Sequence, residues 1–403
     1  AEEAAAIPQV AASFEEAFKS TGELLARSPS NTERIFNHAQ SVFWVGYLDW
    51  HLGNFDAAKS EFLEYIILSK RLVEIDPQNP DWQVELGSAY TNLGVYIRET
   101  NSIKAAIPYF ELGQATTADA VGLAPDQVQL KLSLATSYAW LSDAYRDTGY
   151  LYAALILRQM ELEVYRDVLT GDPGNQSVNL SLQVVRAALA KLSFMQGDID
   201  QASEHYSEAR QFGENLLTLD PDNTFSMLQS ASVYADFAKL RIYAGELEES
   251  AVLLGRSEEL VSRLIARDAG ILEWKLQRFS NKVVRALLLQ RNLNDAEALK
   301  LLEATSKSLK ELAGEYPRVR EIRYILANCY LRLALVHGSI ADDIGALKYA
   351  QLMVDELQPI EAGLPPAQLD LLAQAYGLLG ELAKEKPLSD YLQSIDFKRY
   401  QFL

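Results

Sequence analysis

Histidine and cysteine are the side chains of this chain best suited to metal binding or nucleophilic catalysis, and they are few. The four histidines have neither the H-x-x-x-H nor the H-E-x-x-H spacing that places two ligands on one helix face: His38, His51, His205 and His337. The single cysteine, Cys329, excludes an intramolecular disulfide and a cysteine-rich zinc site. It falls beside an apolar position, where a buried and unreactive thiol is expected. These residues predict no metal centre and no cysteine nucleophile.

Motifs of the common catalytic and nucleotide-binding loops are also absent from the sequence. The chain has no G-x-x-x-x-G-K-[ST], G-x-G-x-x-G or G-x-S-x-G pattern. Residues 220–226, DPDNTFS, begin like a calcium loop, but the sixth position is not Gly and Ala231 stands where a bidentate Glu is needed. The acidic pair Asp342 and Asp343 lies in a predicted turn, where solvated carboxylates are expected. We therefore expect no enzymatic activity and no cofactor.

Peptide recognition is a second kind of chemistry, and it needs exposed aromatic rings and cations rather than a catalytic group. Aromatic rings would anchor apolar side chains, and cations would receive a carboxylate. The alternative is that these rings belong to the core between helices. The candidates of both types are Trp44, Tyr47, Trp50, Arg98, Trp140, Arg146, Lys191 and Lys239.

The elements that must position these residues follow a repeat of 48 residues. Prolines mark one phase of this period, and Ala269 takes the one missing place: Pro29, Pro77, Pro125, Pro173, Pro221, Pro317 and Pro365. Asn follows two residues later in several repeats, at Asn31, Asn79, Asn175 and Asn223. Because Pro cannot continue a helix and Asn is a good N-cap, each such site predicts the end of one helix and the start of the next.

Other repeat columns, meaning residues separated by multiples of 48, support the same period. One column holds only small residues: Gly46, Gly94, Ser142, Ala190, Ala238, Ala286 and Ala334. A second holds Gly or Asn at 53, 101, 149, 197 and 245, and then fails at Leu293 and Ala341. Small residues allow two helices to approach closely, and Gly or Asn permits a turn with positive φ. Each period therefore predicts two antiparallel helices of about 18–20 residues, which we call A and B.

Segments such as LDWHLGNFDAAKSEFLEY and LAKLSFMQGDIDQASEHYSEA resemble the tetratricopeptide repeat (TPR). The resemblance covers nearly the whole chain, although the usual period is about 34 residues. The two extra heptads add nearly two whole turns to each helix, so each apolar face keeps its direction. The resemblance implies an all-α solenoid, a right-handed superhelix of about eight antiparallel helix pairs plus an extra N-terminal helix.

The period also divides the chain, which we expect to be a single solenoid over residues 1–403. Residues 1–30 form an unpaired N-terminal helix, 31–365 form seven repeats, and 366–403 form a degenerate C-terminal capping pair. The A helices are predicted to begin near residues 33, 81, 129, 177, 225, 273, 321 and 366. Because the chain starts in mid-repeat, a fragment of a longer protein is favoured over a cap helix.

Helix geometry places the candidate residues on one strip of the A helices. At about 100° per residue, the columns of residues 37, 40, 44, 47 and 51 share an arc away from the apolar columns. We call this strip the A-helix arc and expect it to line the concave face. Trp44, Tyr47 and Trp140 lie on or beside it, and Arg98, Arg146, Lys191 and Lys239 make its middle basic. The Lys/Asn clamp known in this family is not matched, since Phe43 and Tyr47 hold its first two positions.

Charge narrows the kinds of partner. The chain has 37 basic and 55 acidic side chains, a net charge of −18, which argues against nucleic acid and against an anionic membrane surface. No apolar run approaches the roughly 18 residues of a membrane span. The expected partner is a protein or peptide, and the cations of the arc favour one with an acidic segment. The cytoplasm is the expected compartment, with the periplasm as the alternative.

The sequence supports two hypotheses for function, with a third much less favoured. The first is a binding scaffold that holds a protein or peptide in its concave groove, as the recognition part of a larger bacterial-type signalling or regulatory protein. The second is a regulatory array that packs on its own upstream effector domain and responds to a ligand. An enzyme is the least favoured, because the sequence shows no catalytic constellation.

Overall fold

The computed structural model describes residues 2–172 and 174–398, and of residues 2–11 and Gln176 it describes the backbone alone. Within these ranges the chain forms 17 α helices, one 3-10 helix after α15 (Gln358–Gly363), and no strands. The helices are α1 Glu2–Arg27, α2 Thr32–Leu52, α3 Phe55–Ile75, α4 Pro80–Thr100, α5 Ile103–Leu123, α6 Val128–Asp147, α7 Leu151–Gly171, α8 Gln176–Gln196, α9 Ile199–Leu219, α10 Thr224–Tyr243, α11 Leu247–Arg267, α12 Leu272–Arg291, α13 Asp295–Glu315, α14 Arg320–Ser339, α15 Asp343–Leu357, α16 Pro366–Leu378 and α17 Leu382–Ser394.

The even-numbered helices from α2 to α16 are the A helices, and each begins within one residue of its predicted start. Asparagine caps of the predicted kind are present at four of them. The side chains of Asn31, Asn79, Asn175 and Asn223 each accept a hydrogen bond from a backbone N–H in the first turn of the helix. Pro173, which belongs to the same punctuation, lies outside the described residues. Capping explains why these helices start where the sequence predicts.

In most repeats the turn between an A helix and the next B helix uses a residue in the left-handed region. Asn101 departs from the sequence prediction, because its φ is −128° and the turn after α4 has another conformation. Gly53, Gly149, Gly197 and Gly245 have φ between 83° and 90°. Leu293 and Ala341 occupy the same repeat column, and both keep a positive φ of 58° although neither is glycine. The packing of the two helices therefore maintains the turn in later repeats, even where the residue type disfavours it.

The column of small residues permits the closest helix approach. A Cβ atom added to Gly94 would lie 2.9 Å from the Phe110 ring, and one added to Gly46 would lie 2.9 Å from the Cβ atom of Glu61. The large residues Phe62, Phe110 and Tyr206 share one column of the B helices and are buried. At these interfaces a small residue of the A helix thus allows close approach of the B helix that carries the large residue.

The described chain divides into two compact units. Unit 1 comprises Ala1–Thr148 and Glu163–Val168, and unit 2 comprises Gly149–Leu162 and Leu169–Leu403, so α7 is shared between them. In unit 1 the helices from α1 to α6 each pack on their neighbours in sequence, and in unit 2 the helices from α8 to α17 do the same. In unit 2 the A helices also contact one another directly, α8 with α10, α10 with α12, α12 with α14 and α14 with α16. This second set of contacts makes the A helices one continuous layer of unit 2.

Unit 2 has a further contact that the repeat does not predict. After α17 the chain returns to α8, where the backbone N–H of Lys398 donates to the carbonyl of Met195 at 2.8 Å. The Lys398 side chain packs against Gly197, and Tyr391 and Ile395 pack against Gly149. In the described part of the chain, no helix is long and apolar enough to cross a bilayer.

Candidate functional site

The aromatic candidates of unit 1 form a cluster on α2. The Trp44 and Tyr47 rings lie 5.9 Å apart between centroids, and both side chains are exposed, at 43% and 39%. Trp50 lies 6.2 Å from Tyr47, is half-buried, and packs on Phe62 of the core. Trp44 also stacks on Phe14 of α1 at 5.6 Å. The cluster therefore presents Trp44 and Tyr47 at the surface, whereas Trp50 belongs largely to the helix interface.

Trp140 and Arg98 lie together in unit 1, but neighbouring side chains cover part of the Trp140 indole ring. The Arg98 guanidinium carbon lies 5.1 Å from the centroid of the Trp140 ring. Phe110 is nearly parallel to the same ring, with a centroid separation of 6.1 Å. Because two side chains already contact the ring, Trp140 is half-buried and has less free surface for a partner than Trp44. Arg98 is also bound, since it donates twice to Glu99 at 3.0 and 2.7 Å.

The predicted cations Arg146 and Lys191 are likewise paired with nearby carboxylates. Arg146 binds Asp143 at 2.7 Å and Asp147 at 2.8 Å. Burial raises the pKa of Asp147, and the Arg146 guanidinium opposes that rise. In unit 2, Lys191 Nζ lies 2.9 Å from Asp236 Oδ2. These pairs neutralise most of the positive charge that the sequence places on the arc.

A polar cavity of about 220 Å³ lies along α4 and α6 in unit 1. Its lining includes five residues from the columns of 37, 40 and 44: Ser88, Asn92, Ser133, Thr136 and Trp140. Gly87 forms part of the wall, where a Cβ atom would lie only 2.4 Å from the Thr117 hydroxyl. Hydroxyl and amide groups dominate this surface, and they suit hydrogen bonds to a peptide backbone.

Two adjoining cavities lie on the A-helix layer of unit 2. The first, of about 150 Å³, lies among α10, α12 and α14, and all its lining residues except Val283 belong to the columns of 37, 40, 44 and 47. The second, of about 220 Å³, extends toward α8 and α16 and is bordered by Phe397 and Lys398 of the returning C-terminal segment. Both cavities are lined by Lys239, Asn328 and Arg332. Lys239 is the predicted residue here, and it is half-buried.

A half-buried carboxyl, that of Glu85, connects α2 to the next repeat in unit 1. Glu85 Oε1 accepts hydrogen bonds from Gln40 Nε2 at 2.5 Å and from the Tyr65 hydroxyl at 2.7 Å. Burial raises the pKa of Glu85, and these two hydrogen bonds oppose the rise. Gln40 lies on the A-helix arc, so this network holds one edge of the arc in place.

The side chains of His38 and Cys329 have packing roles. His38 lies against Phe18 and Gly22, its Nδ1 is 3.0 Å from the Thr21 hydroxyl, and burial lowers the pKa of its ring. Cys329 is buried, as predicted, and burial raises the pKa of its thiol to about 12. In the described ranges, no group of three or more His, Cys, Asp or Glu side chains could hold a metal ion.

Two of the three residues shared by the unit 2 cavities, Asn328 and Arg332, are not among the residues predicted from the sequence. Arg332 lies in the column of Trp44, and Asn328 lies in the column of Gln40, so both are on the A-helix arc. Their columns contain apolar, polar and charged residues in different repeats. Because residue type is not conserved along these columns, the repeat did not single out Asn328 or Arg332. Arg332 is only 4% exposed, and a buried guanidinium cannot be recognised from composition.

No family model and no curated protein sequence matches this chain. Solved structures do match it. The apo form of the quorum sensor NprR from B. thuringiensis aligns with a TM-score of 0.53 and 14% identity, over 85% of this chain and 83% of that one. The chain has a tetratricopeptide-like helical-repeat fold.

Two further solved structures align with lower scores. A tetratricopeptide repeat protein from Parabacteroides merdae has a TM-score of 0.43 and 15% identity, over 85% of this chain and 97% of that one. BtubC from P. vanneervenii has a TM-score of 0.49 and 16% identity, over 64% of this chain and 92% of that one. At these identities the likeness concerns the fold, and function has to be argued from the arc.

Proposed function

We propose that this chain is a binding scaffold that holds an extended peptide or protein segment along its A-helix arc. One observation carries the proposal. Cavities in both units are lined by the same repeat columns, those of residues 37, 40 and 44. A repeat that has cavities on the same strip of its A helices in separate units offers an extended ligand a series of equivalent contacts.

The chemistry of the strip differs between the units. Unit 1 supplies the exposed rings of Trp44 and Tyr47 and a cavity of hydroxyl and amide groups. Such rings are suitable anchors for apolar side chains, and small polar groups suit backbone hydrogen bonds. Unit 2 supplies cavities with both apolar and cationic walls. The proposed partner includes an acidic segment. Its negative charge would bind mainly in unit 2, because Arg98 and Arg146 in unit 1 are already paired with carboxylates.

A regulatory role is the second candidate. The quorum sensor NprR shares the fold, which makes a ligand-responsive array of this kind physically reasonable. On that hypothesis the A-helix arc would bind the signal, and a separate effector would respond to it. The two candidates share the arc as the ligand site and differ in the consequence of binding.

A peptide selection tests the shared part. Random dodecapeptides displayed on phage would be enriched on the immobilised chain, and their dissociation constants measured by fluorescence anisotropy. Thr136→Arg and Val284→Arg would crowd the cavities of units 1 and 2. Matched controls are Ile67→Arg and Val252→Arg, on exposed positions of the B helices α3 and α11.

We expect the arc variants to weaken enriched peptides at least tenfold, and the B-helix variants to change affinity less than twofold. Circular dichroism would check that all four variants keep their helix content. Peptides that bind all variants equally, or that lose affinity only with the B-helix variants, would place the binding face elsewhere.

A further inference from the structure

The last three turns between A and B helices in unit 2 expose a line of large apolar side chains. One lies in the turn after α12, three lie at the turn after α14 and in the first two turns of α15, and two lie at the turn after α16. Among the described residues, the turns after α8 and α10 themselves expose no large apolar side chain. We call this line the apolar edge: Leu293, Ile340, Ile344, Leu347, Leu378 and Leu382.

These three turns lie next to one another because the A helices that precede them are packed side by side. Helix α12 contacts α14, and α14 contacts α16. A hydrogen bond joins the first two turns directly, since the Ser339 hydroxyl donates to Asp295 Oδ2 at 2.8 Å. Ser339 precedes Ile340, and Asp295 comes two residues after Leu293. The exposed apolar side chains therefore share one edge of unit 2.

Folding of the free chain does not account for the residue types on this edge. The left-handed conformation of Leu293 costs free energy that glycine would avoid, and its exposed side chain recovers little of that cost. Ile344 is 84% exposed on α15, in a repeat column that holds Asp200 and Glu248 in earlier repeats. A single exposed Leu or Ile is ordinary, but six at adjoining turns form the kind of surface through which proteins associate.

Carboxylates surround the apolar edge and favour a basic partner. The segments at its first two turns, residues 291–297 and 338–348, contain four carboxylates and two cations. Asp343 is exposed at the start of α15, beside Ile344. Asp342 accepts the Gly345 backbone N–H and lies 2.7 Å from His337 Nδ1, and both interactions lower the pKa of its carboxyl, so it stays charged at neutral pH. Basic side chains on a partner would complement this rim.

The same rim disfavours two other occupants. A second copy of the chain that used this edge on both sides would bring two sets of carboxylates together, and each copy has a net charge of −18. An anionic bilayer would be repelled for the same reason. The charge around the edge therefore favours a partner protein over a second copy and over an anionic membrane.

The length of the edge suits an α helix. Packed helices lie about 8–10 Å apart, so turns on three successive A helices extend over about 16–20 Å. At about 1.5 Å per residue, a helix of roughly 11–13 residues covers that length. A helix with apolar residues along one side would present a line of contacts of the same shape.

We propose that the apolar edge binds a basic amphipathic helix of a partner protein. Apolar side chains of this helix would pack on Leu293, Ile344 and the neighbouring edge residues, and its lysine or arginine side chains would pair with Asp343 and the other rim carboxylates. The first four edge residues belong to the columns of 52, 53, 56 and 59, which are not columns of the A-helix arc. The chain thus has a second binding surface, with a charge preference opposite to that proposed for the arc.

Designed peptides test the edge without knowledge of the natural partner. Three fluorescein-labelled peptides of about 14 residues would be compared. The first has leucines along one helix face and lysines elsewhere, the second has the same leucines with glutamates, and the third has the composition of the first in scrambled order. Fluorescence anisotropy would measure their dissociation constants with the complete chain at pH 7. We expect the basic amphipathic peptide to bind at least tenfold more tightly than either of the others.

Variants then connect this preference to the edge. Ile344→Gln and Leu293→Gly each remove an exposed apolar side chain and should weaken the basic peptide at least fivefold. Asp343→Asn should weaken it about twofold and reduce the salt dependence of binding. Matched controls are Leu219→Gln, at the far end of the B helix α9, and Glu248→Gln, beside the turn after α10; both positions are exposed, and neither change should alter the affinity. Circular dichroism would confirm that each variant keeps the wild-type helix content.

Several results would overturn the proposal. The basic peptide could bind no better than the scrambled or the acidic one, or its preference could survive both Ile344→Gln and Leu293→Gly. Sedimentation velocity and vesicle cosedimentation examine the other occupants. A wild-type dimer that Ile344→Gln dissociates would assign the edge to a second copy, and binding to phosphatidylcholine vesicles that the same variant abolishes would assign it to a lipid surface.

The dodecapeptides selected for the arc provide an independent readout. They should bind Ile344→Gln and Leu293→Gly as tightly as the wild-type chain, because the edge and the arc are separate surfaces. A loss of dodecapeptide affinity in these variants would contradict that separation. Binding of the basic helix to the edge remains testable even where the arc binds no peptide.

Discussion

Replacement of Leu293 by glycine should stabilise the protein, although it deletes a large apolar side chain. Leu293 occupies the turn between α12 and α13 with φ at 58°, in the column that holds Gly53, Gly149, Gly197 and Gly245 in other repeats. Its side chain is 90% exposed, so little burial is lost with it. The left-handed conformation costs a non-glycine residue about 1–2 kcal/mol. Leu293→Gly removes that cost.

The gain is partly offset in the unfolded chain. Glycine has more conformational freedom there, and this costs about 0.4–1 kcal/mol on folding. The net expectation is a stabilisation of about 0.5–1 kcal/mol. Gly245→Ala is the reciprocal control in the same unit, because its φ is +83° and an added Cβ atom would meet nothing within 4 Å. It should destabilise the protein by a similar amount and with no steric contribution.

Hydrogen exchange of α12 and α13, measured by mass spectrometry, is the appropriate assay. Helical repeats can open locally, and a single global unfolding transition is not assured. Leu293→Gly should slow exchange in these two helices by roughly two- to fivefold, the change expected from about 0.5–1 kcal/mol. Faster exchange in α12 and α13 would refute the reasoning, since it would mean that the Leu293 side chain contributes more than its backbone conformation costs.

Three further predictions concern packing and pH. Gly149→Ala should lower stability more than Gly245→Ala. The Cβ atom added at Gly149 would lie 2.5 Å from the Tyr391 hydroxyl of α17, whereas the one added at Gly245 meets nothing within 4 Å. Hydrogen exchange in α17 would show the difference. Trp140→Ala should lower the opening free energy of α6, measured by hydrogen exchange, by about 2–3 kcal/mol, which is less than the ~3–5 of a fully buried ring. Trp44→Ala should cost α2 less again, since that side chain is 43% exposed. Glu85→Gln should stabilise the protein at pH 7 and have less effect near pH 4. Burial raises the folded-state pKa of Glu85. The protonated carboxyl therefore stabilises the folded protein at low pH, and this stabilisation is lost as the pH rises through the folded-state pKa.

Each of these predictions has a result that would contradict it. Equal exchange in α17 for the two glycine variants would show that the C-terminal segment does not pack at the turn. A larger loss for Trp44→Ala than for Trp140→Ala would reverse the assignment of the exposed and the covered ring. A Glu85→Gln variant that is less stable than wild type at pH 7 would show that the charged carboxylate, bound by its two donors, outweighs its burial.

The positions of the helices could be predicted because their signals are local. Asparagine caps and the proline column fixed the A-helix starts, and the 48-residue period extended that information to repeats with weaker punctuation. The columns of the A-helix arc follow from the angle of about 100° per residue, which requires no knowledge of long-range contacts. Their role as the ligand-binding face stays a prediction. Leu293 and Ala341 show that residue type alone does not predict this turn, because both have a positive φ although neither is glycine.

Some of the cations pair with carboxylates that are close in sequence, and others pair with carboxylates on a different helix. Glu99 is adjacent to Arg98, and Asp143 and Asp147 lie within one turn of Arg146, so these pairs were within reach of the sequence. The bond between Lys191 and Asp236 joins successive A helices and required their packing. The return of Lys398 to Met195 has no counterpart in any repeat, so periodicity could not reveal it.

Photo-crosslinking of an enriched dodecapeptide tests the central claim most directly. Benzoylphenylalanine would be placed at Thr136 or Val284 on the A-helix arc, and at Ile67 or Val252 on the B helices, one position per variant. The binding-scaffold account predicts crosslinks to the peptide from Thr136 or Val284, with competition by excess unlabelled peptide, and background signal from Ile67 and Val252. Competable crosslinks from the B-helix positions, with background signal at Thr136 and Val284, would contradict it.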